Sequence, residues 1–401
     1  MRSSSSPPPE AEAGSPEAGP NRGRRAPRRR RGPLGRILVL VVLCLAVFLA
    51  LGEVLTRTFD LVDRLNGFPR RLYAATDDED LPYLLRPGVD TIARGVHVTI
   101  NEHGMRGPPL EPAPPGTARI LVLGDSVAFG YRLEWDATLT QRLAAELEQR
   151  TGEPHQVLNG GVEGYNTENQ LAWLRRFGLP LDPDAIVVAL NLNDYDYGPV
   201  MGPLGVLTLD RSQRVKADSI GNQSELYLLL RWLALVGPQM LFGDAAPVET
   251  SKSGFNKFDE YVSVLRKRYY LEPNDERWPA MIESLRGLRD EAKARGIPLL
   301  VAILPDGDQV GVPKPDLTPQ ERLAEVCAQE SLDCFDLLPA FRAEAGSGPL
   351  FLDIMHPNAR GHAIVGRALS EPLARALQET ERSGTPPPRS SRSPDPAASP
   401  R

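Results

Sequence analysis

A short run in which Gly124, Asp125 and Ser126 follow the apolar residues 120–123 is the first place where this chain could do chemistry. A serine just after a strand and close to a helix start keeps its own N–H free, and the positive end of the helix dipole stabilises an anion there. Those are the needs of a nucleophilic serine with an oxyanion site beside it. All three are also common turn residues, so the run alone leaves both interpretations open.

A nucleophilic serine needs a base, and the chain has only five histidines. His356 follows Asp353 by three positions, so a turn or a helix start could bring the carboxylate to the imidazole. A carboxylate in that position holds a neutral imidazole in one tautomer. The alternative is a helix cap beside a surface histidine. His362 is expected to lie on a terminal helix and to support the site by packing.

Two other stretches fall where strands are expected to end. Residues 159–164 read Asn-Gly-Gly-Val-Glu-Gly, and residues 191–194 read Asn-Leu-Asn-Asp. A tetrahedral oxyanion needs two or three converging donors, and a loop glycine N–H together with an asparagine amide would supply them. Either stretch, taken alone, is more typical of a turn.

Short apolar segments alternate with helical patterns and would position these residues. The predicted strands are Arg119–Leu123, Gln156–Leu158, Ala185–Leu190, Pro298–Leu304 and Asp333–Leu337. The predicted helices include one capped by Asp136, one over Glu168–Phe177 and one from about Arg360 to Leu377. The alternation predicts a parallel sheet with helices on both faces, a three-layer α/β/α sandwich whose functional residues lie at the carboxyl ends of the strands.

Together and in this order, the four stretches resemble the SGNH/GDSL hydrolase family. The matches to its first, second, third and fifth blocks are Gly124–Ser126, Asn159–Gly164, Asn193–Asp194 and Asp353–His356, within residues 119–366. The resemblance implies a five-stranded, flavodoxin-like sheet and a reaction that needs neither a metal nor an organic cofactor. The upstream segment Ile100–Gly107 is similar to one in membrane-anchored, envelope-associated bacterial members.

The resemblance also implies a role for each matched residue. Ser126 would be the nucleophile, His356 the base and Asp353 the group that orients the base. The oxyanion hole would consist of the backbone N–H groups of Ser126 and Gly164 and the side chain of Asn193. Two further residues would be structural: Asp125 and Asp194.

One matched block departs from the family pattern. The third block usually begins with glycine, and Asn191 stands there instead, so its side chain could narrow the pocket or contact the substrate. Arg106, in the upstream segment, is a second candidate substrate contact, with a structural role in a loop as its alternative.

Charge separates the chain ends from the body. Residues 1–36 hold nine arginines, three acids and seven prolines, and residues 383–401 hold six prolines, so both ends are expected to be disordered. The first stretch carries +6 and the whole chain −6, which leaves −12 on the rest. An acidic body argues against a nucleic-acid groove, and three cysteines exclude a disulfide-dense scaffold or a cysteine-rich zinc module.

The segment Ile37–Gly52 has no charged residue and is bounded by Arg36 and Glu53. Its flanks extend it towards the roughly 20 residues that cross a bilayer, and eight arginines precede it between Arg22 and Arg36. The positive-inside rule places that side in the cytoplasm and the body outside it, on the periplasmic or cell-surface side of a bacterial inner membrane. A buried core helix and a signal peptide cleaved near residues 50–52 are the alternatives.

These observations divide the chain into five parts. They are a cytoplasmic tail (1–36), a transmembrane anchor (37–55), a helical stalk and N-terminal extension (56–118), the hydrolase-like domain (119–380) and a second tail (381–401). An excursion at 198–275 interrupts the domain, and its apolar stretch Leu226–Leu241 is expected to pack on the body, to form a lid or to lean on the membrane. Cys327 and Cys334 could form a disulfide in an oxidising compartment, with two buried thiols as the alternative.

The resemblance therefore implies a membrane-anchored serine ester hydrolase that acts on an acylated small molecule or glycan of the cell envelope. An O-acyltransferase, in which a sugar hydroxyl replaces water as the acceptor, is the first alternative. A binding module without catalytic activity is the second. The oligomeric state does not follow from the sequence.

Overall fold

A computed structural model describes residues 33–235, with short gaps, and residues 277–382. The gaps are residues 60, 67–68, 115, 196–197, 203–206, 209–210 and 217–223. Both predicted tails, except for residues 33–36 and 381–382, and most of the excursion lie outside the described residues. The chain divides into two compact units, Met1–Leu51 and Gly52–Arg401.

The first unit contains most of one long apolar helix, α1 (Pro33–Thr58). Its segment Leu34–Thr58 has 25 residues and contains an 18-residue window with a mean hydropathy of 3.0, so by length and composition it is able to cross a membrane. Its cysteine, Cys44, is exposed. A helix of this kind near the N-terminus suits a membrane anchor or a signal sequence equally well.

The N-terminal extension consists of short elements. They are α2 (Leu61–Asn66), β1 (Tyr73–Ala75), β2 (Tyr83–Leu85), β3 (Asp90–Ala93) and β4 (Val96–Thr99). The strands form two antiparallel pairs, β1 with β2 and β3 with β4. The predicted helical stalk does not continue beyond α2. A 3-10 turn (Arg70–Leu72) and then β1 follow Pro69, because proline lacks the N–H that a continuing helix needs.

Five parallel strands form the central sheet, in the order β6-β5-β7-β10-β11. They are β5 (Arg119–Gly124), β6 (Gln156–Gly161), β7 (Ala185–Leu190), β10 (Leu299–Ile303) and β11 (Asp333–Asp336). A separate two-stranded sheet pairs β8 (Val200–Met201) with β9 (Leu207–Thr208). The order corresponds to 2-1-3-4-5 along the chain and confirms the predicted flavodoxin-like α/β/α sandwich.

Helices connect and cover these strands. They are α3 (Ser126–Phe129), α4 (Leu139–Thr151), α5 (Thr167–Trp173), α6 (Glu225–Leu235), α7 (Arg277–Lys293), α8 (Gly307–Val310), α9 (Thr318–Glu330), α10 (Leu338–Glu344) and α11 (Ala359–Arg382). The N-cap of α4 is Thr138 rather than the predicted Asp136, which lies in a preceding 3-10 turn. The N-cap of α5, Asn166, exchanges hydrogen bonds with Asn169 in a capping box.

The two faces of the sheet carry separate cores. Alternate residues of a strand point to opposite faces, so Leu121 and Leu123 of β5 join one core and Ile120 and Val122 the other. Helices α5 and α7 pack in the first core, whereas α4 and α11 pack in the second. Because both faces are covered, the inner strands β7 and β10 are apolar along their whole length and β5 is apolar from Ile120 to Leu123, which is the pattern that made them recognisable in the sequence.

Each edge strand of the central sheet is held by a further contact. On one side, Arg106 of the extension forms an isolated β-bridge with Asn159 of β6, the edge strand of the sheet. On the other, Cys327 at the end of α9 and Cys334 of β11 form a disulfide, the first of the two alternatives that the sequence leaves open. The extension thus covers part of a sheet edge that would otherwise expose unpaired backbone groups.

Candidate active site

Ser126 lies where β5 passes into α3, at the point of the sheet where the strand order reverses. Asp125 is the N-cap of α3, and its Oδ1 accepts the Val127 N–H at 2.8 Å. Gly124 has a φ of +156°, and a Cβ there would lie 2.7 Å from the Ala128 Cβ. Glycine is therefore required for the close turn that places the serine at the carboxyl edge of the sheet, where ligands bind in folds of this type.

Ser126 and His356 meet there although they are 230 positions apart: Ser126 Oγ lies 2.8 Å from His356 Nε2. On the other side of the ring, His356 Nδ1 lies 2.8 and 2.9 Å from the two carboxylate oxygens of Asp353. With Nδ1–H donating to the carboxylate, the Nε2 lone pair is free to accept the serine hydroxyl proton. The imidazole is 7% exposed, so this hydrogen-bonded chain is largely shielded from water.

The turn that carries the histidine also orients the carboxylate. Asp353 Oδ1 accepts the backbone N–H groups of Met355 and His356 at 3.0 and 2.9 Å. Burial raises the pKa of Asp353, but the hydrogen bonds and charge of His356 and these two N–H groups outweigh it, so the pKa lies below its ordinary value. Asp353 therefore stays ionised beside the imidazole at neutral pH.

A buried polar network supports the serine from below. Asn191 Nδ2 donates to Asp125 Oδ2 at 3.2 Å, and the Asn191 side chain has only 1% exposure. The Asn191 backbone N–H donates to Asp194 Oδ2 at 3.2 Å. Burial, followed by the charge of Asp125, raises the pKa of Asp194 well above its ordinary value. The predicted substrate contact by Asn191 is thus corrected: its amide is turned inward and holds Asp125, because this removes the buried carboxylate's unmet hydrogen bond.

Gly164 and Asn193 follow β6 and β7, the two strands that flank β5. Gly164 has a φ of +82°, and a Cβ there would lie 2.6 Å from Pro199 Cγ. Asn193 is half-buried, and in the described part of the chain its Oδ1 is buried without a hydrogen-bond partner. In the described part of the chain, the backbone N–H groups of Ser126 and Gly164 form none of the turn, loop or cap hydrogen bonds to backbone carbonyls.

Arg106 does not reach the site surface. It is 2% exposed, and its guanidinium donates to the carbonyls of Phe129 at 2.9 Å, Gly130 at 2.6 Å and Leu133. The predicted substrate contact by Arg106 is therefore corrected to a structural role, because a buried guanidinium needs acceptors and the carbonyls after α3 provide them.

The other four histidines lie apart from the serine hydroxyl. His97 is an exposed residue of β4 that pairs with Asp90 at 2.5 Å, and His103 is buried in a loop. His155 precedes β6, and its Nδ1 is buried without a hydrogen-bond partner in the described part of the chain. His362 is buried on α11, as expected, and burial together with the charge of Arg106 lowers its pKa to about 3.

Three residues around the histidine were not predicted from the sequence: Tyr131, Arg94 and Glu163. The Tyr131 ring stacks on the His356 imidazole, with centroids 4.2 Å apart and an interplanar angle of 25°. The Arg94 guanidinium lies over Tyr131 at 4.8 Å and forms an ion pair with Glu163 at 2.8 Å. A short separation from Ser126 is the only signal that could have identified Tyr131, whereas Arg94 comes from the distant hairpin β3–β4.

A metal-binding cluster does not occur in the part of the chain that the structure describes, where no three His, Cys, Asp or Glu side chains are grouped to hold an ion. The groups that meet at this site are the serine hydroxyl, the imidazole and the carboxylate.

Comparisons with known proteins identify the family of the chain. Residues 122–364, more than half of the chain, match the model of the GDSL-like lipase/acylhydrolase family. The lipase/acylhydrolase from Enterococcus faecalis is a similar solved structure, 16% identical, covering 68% of this chain and 100% of its own, with a TM-score of 0.38. An acetylxylan esterase from Geobacillus stearothermophilus is another, 14% identical, covering 65% of this chain and 94% of its own, with a TM-score of 0.37. No curated protein sequence matches the chain. By the match over residues 122–364, the chain belongs to the GDSL-like lipase/acylhydrolase family and is an ester-bond hydrolase.

Proposed function

We propose that this ester hydrolase uses Ser126 as its nucleophile, His356 as its general base and Asp353 to orient that base. The observation that supports this most directly is the continuous chain of hydrogen bonds from Ser126 Oγ through both ring nitrogens of His356 to Asp353. Its position at the carboxyl edge of the sheet, beside the start of α3, suits attack on a carbonyl group.

The reaction would then run in two steps. Ser126 Oγ forms a bond with the ester carbonyl carbon while its proton passes to His356 Nε2. The tetrahedral intermediate collapses, the bond to the alkoxy oxygen breaks, and the alcohol leaves with the proton from His356. A water molecule then gives its proton to His356 and attacks the acyl-enzyme; the carboxylic acid leaves and Ser126 recovers its proton.

Three donors would stabilise the oxyanion of both intermediates. They are the backbone N–H groups of Ser126 and Gly164 and the side-chain amide of Asn193. The support for this is their location after three adjacent strands, together with the absence of a backbone acceptor for the two N–H groups among the described residues. Donors that are already oriented when charge develops lower the barrier without a reorganisation cost.

A fluorophosphonate probe tests the nucleophile directly. We expect the full-length protein in detergent to be labelled and Ser126→Ala to be unlabelled, because the probe reacts only with an activated serine. Ser347→Ala, which changes an exposed serine in a 3-10 turn, serves as the matched control and is expected to label like the wild type. Labelling that persists in a folded Ser126→Ala variant would exclude Ser126 as the nucleophile.

The acceptor of the second step is decided by product analysis. With an O-acetylated oligosaccharide as donor, hydrolysis releases acetate in an amount equal to the alcohol freed. Transfer would instead yield a newly acetylated sugar when an unacetylated saccharide is added. We propose water as the acceptor, and acetyl transfer exceeding acetate release would overturn that assignment.

We further propose that α1 is a retained anchor and that the hydrolase domain lies outside the cytoplasmic membrane, where an acylated envelope glycan would be its substrate. The length and hydropathy of α1 and the arginines that precede it support this. The full chain should remain in the membrane pellet after alkaline extraction, and alkaline phosphatase fused to its C-terminus should be active. Release of the protein into the supernatant, or an inactive fusion, would contradict the proposal.

A further inference from the structure

The hairpin β3–β4 lies N-terminal to the region that matches the family, yet its turn reaches the candidate active site. The turn residues Arg94 and Gly95 both have positive φ, 52° and 86°, which is the geometry of a tight two-residue hairpin turn. This turn directs the Arg94 side chain away from its own strands and onto residues of the hydrolase domain. Since the family match begins at residue 122, the hairpin is an addition to the matched domain.

The Arg94 guanidinium contacts two groups at once. Its Nη2 donates to Glu163 Oε2 at 2.8 Å, and its Cζ lies 4.8 Å from the centre of the Tyr131 ring. The Arg94 and Glu163 side chains are 19% and 8% exposed, so both contacts are sheltered from solvent. Burial lowers the pKa of Arg94, but the Glu163 carboxylate more than offsets it and the guanidinium stays charged.

Tyr131 links the Arg94 guanidinium to the proposed base, His356. Gly130 ends α3 in the left-handed conformation, and the Tyr131 N–H returns to the Ser126 carbonyl at 3.0 Å. The ring thus contacts both the Arg94 guanidinium and the His356 imidazole.

Glu163 links the Arg94 guanidinium to the loop that carries Gly164 of the proposed oxyanion hole. It is the residue directly before Gly164, and its carbonyl accepts the Tyr83 hydroxyl at 2.8 Å. The Tyr165 hydroxyl in turn donates to the Tyr83 carbonyl at 2.5 Å. Residues of the N-terminal extension therefore hold the loop around Gly164 through both a side chain and the backbone.

We propose that Arg94 is a positioning residue of the active site, which orients the His356 ring through Tyr131 and the Gly164 loop through Glu163. The proposal rests on the proposed function, because it assumes that His356 is the base and that Gly164 contributes to the oxyanion hole. It assigns the N-terminal extension a part in catalysis that the family-matched domain does not supply by itself.

The experiment compares kcat and KM for a p-nitrophenyl ester in the wild type and three variants of the full chain. We expect Arg94→Gln to lose roughly tenfold in kcat with little change in KM, because the base and the loop are held less firmly while the substrate still binds. Glu163→Gln should lower kcat in the same way, because it removes the partner through which Arg94 holds the Gly164 loop. Asp90→Asn, which changes an exposed contact with His97 on the same hairpin, should leave both constants unchanged.

Two substitutions at Tyr131 separate positioning from simple support. Tyr131→Phe keeps the stacked ring and should lose less kcat than Tyr131→Leu, which removes the stack and should reduce kcat as much as Arg94→Gln or more. If the Arg94 and Glu163 variants lose thermal stability but keep the wild-type kcat, the pair is structural only and the proposal is overturned. If instead the wild type is not labelled by the fluorophosphonate, the proposed function itself has failed.

Discussion

At the scale of single residues, two asparagines on one turn have opposite surroundings. Asn191 is buried: its Nδ2 donates to Asp125 and its Oδ1 accepts the adjacent Leu192 N–H. Asn193, two positions further on, is half-buried, and among the described residues its Oδ1 has no hydrogen-bond partner. A buried carboxylate such as Asp125 needs donors, so the first amide is structural. The second side chain is the one proposed to donate to the oxyanion through its Nδ2.

Replacing Asn193 by alanine tests this assignment. Loss of one oxyanion donor is expected to lower kcat by about 10²–10³, which corresponds to about 2.7–4 kcal/mol of transition-state stabilisation, with little change in stability. The matched variant Asn191→Ala should lower thermal stability as well, because it removes one of the hydrogen-bond donors to the buried Asp125 carboxylate. Steady-state kinetics with thermal denaturation measures both. A loss below tenfold in Asn193→Ala would move the oxyanion role to another group.

At the scale of elements, α11 brings a second histidine close to the site. His362 follows His356 by six positions, and it lies fully inside the core between α11 and α4, where its Nδ1 has no hydrogen-bond partner among the described residues. Burial, together with the nearby charge of Arg106, lowers its pKa to about 3, so it is neutral in the folded protein under ordinary conditions.

The helix should therefore lose stability in acid. In the unfolded chain the imidazole takes up a proton below pH ~6.5, whereas in the folded chain it does so only near its lowered pKa. The unfolded state thus binds more protons between these values, and the free energy of unfolding falls as pH drops through this window. From pH 7 to pH 5 we expect a loss of about 1–2 kcal/mol from this group.

Urea unfolding of the full chain in detergent at both pH values measures that loss. His362→Phe keeps a ring in the core and removes the titrating group, so its stability should fall by about 1–2 kcal/mol less than that of the wild type. Buried Asp125 and Asp194, whose pKa values are raised, act in the opposite direction but are common to both proteins. An equal loss in wild type and variant would show that His362 is not the acid-sensitive group.

At the scale of the whole molecule, the disulfide and the location of the domain are linked. Cys327 and Cys334 are joined, whereas Cys44 is free on α1. Structural disulfides persist in oxidising compartments, so the bridge agrees with the proposal of an extracytoplasmic domain. The small loop that it closes corresponds to about 2–3 kcal/mol of stability in the chain-entropy estimate.

Thiol counting tests the disulfide in the cell. Protein denatured without reductant should take up one equivalent of a maleimide, at Cys44, and three equivalents after reduction. Cys44→Ser should take up none before reduction. Three reactive thiols without reductant would show that the cysteines are reduced, which would argue against both the bridge and export of the domain.

The sequence by itself was sufficient for the five strands, for three of the helices around them and for the apolar helix near the N-terminus. Those features depend on local patterns of apolar residues, and a strand covered on both faces must be apolar throughout. It also pointed to Ser126, Asp353 and His356, because a nucleophile after a strand and a carboxylate near an imidazole are recognisable over a few residues. The predicted ends of the elements were less accurate: the N-cap of α4 is Thr138 rather than Asp136, and β6 extends to Gly161.

Only the tertiary structure decided which polar groups belong to the site and which to its support. Asn191, Arg106 and Arg94 look alike in the sequence, as polar residues in loops. The structure turns the first two inward to a carboxylate and to carbonyls, and directs the third onto Tyr131 and Glu163. The physical reason is that a polar side chain inside the fold lies where its lost hydrogen bonds to water are replaced. Its partners come from distant parts of the chain, so no local pattern specifies them.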